Sequence, residues 1–71
     1  MGNQETITIP LILPFDEAQA LSQFVKRIGY EDVNRFAAPC VTYDDVNEGD
    51  VMWSAVCMLR TSLADAGFNP R

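Results

Sequence analysis

Seventy-one residues leave room for one domain, at a size where a single apolar core is barely sufficient. A hydrophobic content of 48% excludes a chain disordered by low hydrophobicity and high charge. Ten acids against Lys26, Arg27, Arg35, Arg60 and Arg71 give a net charge of −5. That balance disfavours direct nucleic-acid binding, which depends on neutralising phosphates, and makes a basic protein surface the natural complement.

The opening residues match the loose pattern for N-myristoylation, but no polybasic patch accompanies them as a second anchor. No basic region precedes the first apolar run, and Pro10 and Pro14 interrupt it, so neither a secretory signal nor a membrane span is expected. The expected location is cytoplasmic, with residues 1–4 as a flexible tail ahead of one domain over 1–71. Cys40 and Cys57 have neither redox-pair nor metal-knuckle spacing. They are expected as small buried hydrophobes in a reducing compartment.

Residues 6–13 alternate in the manner of a β-strand, with Ile7, Ile9, Leu11 and Leu13 on one face. Pro10 cannot donate, so the edge bearing the backbone groups of Ile7, Ile9 and Leu11 is the better one to pair. A lone strand is not stable, and the candidate partners are 40–43 or the same strand of a second copy. Asp16 with Gln19 forms a capping-box pattern. Ala18, Leu21, Phe24, Val25 and Ile28 then trace an amphipathic helix. Gly29 is placed to end that helix in left-handed backbone, with Tyr30 folding back onto Val25. Lys26 and Arg27 fall in its last turn, where the dipole favours positive charge.

A shorter helix follows from Glu31 and Asp32, with Val33, Phe36 and Ala37 inward and Pro39 beyond its end. The last helix is expected to begin at Asp45, capped with Glu48, although Gly49 weakens its first turn. Met52, Ala55, Val56, Leu59, Leu63 and Ala66 recur at helical spacing, with Trp53, Cys57 and Ala64 on one flank and Val51 and Met58 on the other. A helix apolar over so much of its circumference is either central or meets a partner. Gly67 and Phe68 end it in a Schellman pattern, with Phe68 covering Leu63. The expected class is therefore α+β, mostly α: an N-terminal strand, then two or three helices, the last one long, in a dimer.

Catalytic chemistry is not expected. The chain has no histidine, its glycines are too sparse for a phosphate loop, and neither cysteine has basic neighbours. No cofactor and no metal are expected. Asp45, Asn47 and Gly49 alternate like calcium-loop ligands, but Asp50 occupies the turn-glycine position and Val56 that of the bidentate glutamate. Asp44, Asp45, Glu48 and Asp50, ahead of Trp53, have two compatible readings. Acids at a helix N-terminus are stabilised by its dipole. The same acids beside an aromatic anchor form a protein-docking patch, and these five residues are the candidate contacts.

The capped Asp16-Glu17-Ala18-Gln19-Ala20-Leu21 helix and the Leu63-Ala64-Asp65-Ala66-Gly67-Phe68-Asn69-Pro70-Arg71 ending resemble a group of small uncharacterised proteins of bacterial prophages and integrative elements. That resemblance implies a non-enzymatic inhibitor of the anti-CRISPR type, which binds a basic surface of a nucleic-acid-handling complex. The order of strand and helices also resembles ribbon-helix-helix regulators. This second resemblance implies a dimeric DNA-binding regulator or antitoxin, with Gln4, Thr6 and Thr8 facing the bases. The strand differs from that pattern in lacking lysine and arginine and in carrying Pro10.

Overall fold

The computed structural model describes residues 5–68. The tail expected at 1–4, Gln4 as a base contact and the Asn69-Pro70-Arg71 ending lie outside the described residues. The described residues form three helices, α1 (Phe15–Arg27), α2 (Tyr30–Phe36) and α3 (Glu48–Asp65), and a two-stranded hairpin between α2 and α3 in the chain, β1 (Thr42–Tyr43) and β2 (Val46–Asn47). The class is small α+β and mostly helical, and the last helix is the long one.

The N-terminal strand is absent. Residues 6–13 belong to no strand, and the pairing candidate at 40–43 is consumed elsewhere: Thr42 pairs with Asn47 and Tyr43 with Val46, antiparallel. Alternation gave 6–13 the side-chain pattern of a strand, but a strand exists only where another backbone accepts its hydrogen bonds. The ribbon-helix-helix order of elements is overturned with it.

Helix α1 begins two residues earlier than a cap at Asp16 would place it. Pro14 is the N-cap, with φ −56° and ψ 153° and no side-chain cap, and Ala18 N–H donates to its carbonyl at 3.0 Å. Asp16 is therefore a first-turn acid favoured by the dipole, not a cap. At the other end Ile28 and Gly29 are both extended, and Gly29 (φ −113°) is the N-cap of α2. Its N–H donates to Asp32 Oδ2 at 2.8 Å. The Schellman ending expected at Gly29 is displaced because Asp32 claims that N–H, while Arg60 supplies the donors for α1's terminal carbonyls.

The inward face of α1 also differs from its apolar pattern. Ser22 and Val25 are its buried residues, whereas Phe24 is 57% exposed. Ser22 tolerates burial because its hydroxyl donates to the Gln19 carbonyl at 2.8 Å. In α2 only Val33 is buried, and Phe36, expected inward, is 77% exposed. Cys40 is exposed and Cys57 half-buried, both as free thiols, so Cys40 is not the buried hydrophobe expected.

Helix α3 is the centre of the fold, packed by α1, α2 and the hairpin. It starts at Glu48, not Asp45, because Asp44 and Asp45 are used in the hairpin turn. Glu48 N–H finds the Val41 carbonyl at 3.1 Å, which replaces a side-chain cap. Gly49 is buried where α2 crosses: a Cβ there would lie 1.8 Å from Asn34 Oδ1. Its small size permits the close approach, which accounts for a glycine in a helical first turn. The C-terminal end follows the expected Schellman geometry: Phe68 N–H to Leu63 O at 2.9 Å, Gly67 N–H to Ala64 O at 3.0 Å, and Gly67 at φ +100°.

Candidate functional site

The five candidate contacts divide into three environments. Asp44 and Asp45 form the exposed tip of the hairpin, at φ 56° and 69°. Two successive left-handed residues are what the tight primed turn of a two-residue hairpin requires, because its twist matches that of the flanking strands. Asn-Gly is the favoured pair for such a turn. Aspartate tolerates left-handed backbone better than most side chains, but both residues here hold it at a steric cost.

Glu48 and Asp50 stand at the start of α3 and are engaged within the chain. Glu48 is half-buried: its Oε1 accepts Ala38 N–H at 2.8 Å, and its Oε2 accepts the Tyr43 hydroxyl at 3.1 Å. One side chain thus fastens both the turn after α2 and the hairpin to α3. Asp50 Oδ1 accepts the Tyr30 hydroxyl at 2.5 Å, tying the start of α2 to α3. A carboxylate stabilises the protonated phenol that donates to it. The hydrogen bond to Asp50 therefore raises the Tyr30 pKa above 10.0, and the bond to Glu48 does the same for Tyr43.

Trp53 is half-buried, one turn beyond Asp50. Tyr30 meets it edge-on, with ring centroids 6.1 Å apart, and the Arg60 guanidinium carbon lies 5.4 Å from the Trp53 centroid. Arg60 also donates through Nη2 to the Val25 carbonyl, and to that of Ile28 at 3.4 Å, while its Nε is buried without a partner. A cation at the carbonyl end of α1 is favoured by the helix dipole. Asp50, Tyr30, Trp53 and Arg60 thus form one connected row linking α2, α3 and the end of α1.

The structure brings Asp50 and Trp53 together through Tyr30, and Glu48 to the hairpin through Tyr43. It leaves Asp44 and Asp45 at the tip. Tyr30, Tyr43 and Arg60 are not among the contacts expected from the sequence. Arg60 carried a signal, being the sole base between Phe36 and Pro70. Among the described residues, no three acidic or cysteine side chains gather into a set that could hold a metal ion. No described helix is long and apolar enough to cross a membrane.

A second surface lies at the other end of α3. Ile9, Leu11, Leu13, Leu59, Leu63 and Phe68 border an open groove of about 540 Å³ that also takes in Ala18, Ser62 and Ala66. Phe68 is also in tilted contact with Phe15, with ring centroids 5.2 Å apart.

No curated protein and no solved structure matches the chain. A family model described as a family of unknown function (DUF7706) matches residues 1–71. The chain, over its whole length, belongs to that family.

Proposed function

We propose that the protein is a non-enzymatic binding module, acting as a dimer, that presents its acidic hairpin tip to a basic protein surface. The observation that carries this reading is the pair Asp44 and Asp45, both left-handed and exposed at the tip. A turn selected only for stability would favour Asn-Gly there, and strained backbone that persists is a pointer to function. The surplus of acids over bases supplies the long-range attraction to a cationic partner. A partner whose basic surface otherwise holds nucleic acid fits that charge, so the role proposed is a mobile-element-encoded inhibitor of the anti-CRISPR type. Glu48 and Asp50 contribute field but are already committed to Ala38, Tyr43 and Tyr30.

The test replaces the tip by the turn it replaces: Asp44→Asn with Asp45→Gly. The hairpin is then neutral and better suited to its backbone, so the fold should survive with an equal or higher melting temperature. Capture of the basic partner from lysate of the native cell should weaken by about tenfold or more, the equivalent of roughly 1.4 kcal/mol. Undiminished capture by the neutral tip would refute the docking role.

A further inference from the structure

The exposed surface of this chain is larger than its mass requires. A compact monomer of 7.9 kDa exposes about 4,400 Å², whereas this chain exposes 5857 Å². Granting the seven undescribed residues the full area of an extended chain, about 1,100–1,200 Å², still leaves an excess of about 600 Å². Without that allowance the excess is about 1,400 Å². Doubled across a two-fold axis, these bounds give roughly 1,200 to 2,800 Å², spanning a standard stable interface and reaching homodimer size. The radius of gyration agrees, at 13.6 Å against about 11 Å for a compact chain of this length.

Part of this exposed surface is apolar and adjoins the groove. Ile7, Ile9 and Leu11 are 82%, 75% and 60% exposed, and Ile9 and Leu11 overhang the groove floored by Leu59 and Leu63. No charged side chain lines that groove, and residues 6–15 are uncharged throughout. A chain of net charge −5 is repelled by its own copy at long range, and an uncharged face adds nothing to that repulsion. A basic partner would find no carboxylate in this groove to pair with.

We infer that a second copy of this chain seats on the groove, in a two-fold contact where Ile9 and Leu11 of each copy enter the apolar surface of the other. The inference rests on the dimer reading above and names its face. It is isologous, so each copy supplies both the overhang and the recess and the contact closes without building a fibre. The occupied groove lies at the opposite end of α3 from the hairpin, so a second copy seated there does not cover the acidic tips.

Light scattering on the full chain, with circular dichroism as the check on folding, tests it. Wild type should have twice the mass of one chain. Ile9→Asp and, separately, Ser62→Arg each place a charge in the groove from a position exposed in the single chain. Each should halve the particle mass with helical content retained. Phe36→Asp, exposed but outside the groove, should remain a dimer. A wild-type dimer that survives both groove charges overturns this face and leaves the dimer reading standing. A wild-type monomer overturns both, including one that takes up an apolar dye in the groove.

Discussion

At its N-terminal end, α3 is joined to its neighbours by directional bonds: Glu48 to the Ala38 amide and Tyr43, Asp50 to Tyr30, and Val41 to the Glu48 amide. At its C-terminal end the same helix meets α1 and the 6–13 segment through apolar side chains, and the floor of that meeting is an open groove. Hydrogen bonds fix distance and angle with few atoms, so a short α2 and a hairpin of two-residue strands can be held in place with little buried apolar area beyond Val33. Apolar burial needs area, and at the C-terminal end Ile9 and Leu11 remain 75% and 60% exposed beside the groove. The contrast shows how one helix organises the fold at one end and borders an open apolar groove at the other.

The apolar end should respond most to lost volume. Leu63 is 9% exposed and is both groove floor and acceptor of the Phe68 N–H. Leu63→Ala should cost about 2–3 kcal/mol, a fall in melting temperature of about 10–20 °C. A fall no larger than that of a surface alanine substitution would mean this end contributes little to stability, and the contrast would fail. Arg60 joins the ends, and its replacement sharpens the distinction. Arg60→Met keeps the stem but strips the donors from the Val25 and Ile28 carbonyls and the cation from Trp53. The expected cost is about 1–2 kcal/mol, read as a lower urea midpoint at unchanged slope. Arg60→Lys should recover part of it; full recovery would show that charge alone, not the forked donor, closes α1.

The polar end should instead be visible in pH. Tyr30 and Tyr43 have folded pKa values raised above 10.0, so the folded state binds more protons than the unfolded state once pH exceeds that value. The sign follows: both contributions are complete below pH 10 and are lost as pH rises through the raised folded values. Ionisation also sets each phenolate against the carboxylate it once donated to. Denaturation followed from neutral pH upward should show stability falling above pH 10. The slope should be shallower in a Tyr30→Phe, Tyr43→Phe double variant. Parallel slopes would remove the tyrosine–carboxylate bonds from the account of this end. The effect should be the smallest of the three, since both rings are solvent-facing.

The sequence made α3, its Schellman ending and the existence of α1 and α2 legible because these rest on local signals: helical spacing, a glycine followed by an aromatic, a proline past the end. Where expectation failed, a distant residue decided the outcome. Gly29 has the right neighbours to stop α1 in left-handed backbone, but Asp32 and Arg60 satisfy the polar groups that such a stop would have served. Residues 6–13 have strand alternation and no strand to pair with. Asp45 has the spacing of a cap and is instead half of a turn whose hairpin periodicity cannot reveal. Within the candidate site, the identity of the acids was legible, but not its division. Whether a carboxylate faces a partner or a tyrosine twenty residues away depends on packing that no short window contains.

The molecule measures only 16 Å through its thinnest direction, little more than one helix with its side chains. In so thin a molecule most charges lie near solvent, where a high effective dielectric and dissolved ions weaken Coulomb attraction. The carboxylate ties of α3 therefore draw their strength from aim and distance, with little from Coulomb attraction. The architecture should accordingly be indifferent to ionic strength even where its long-range pull on a cationic neighbour is not.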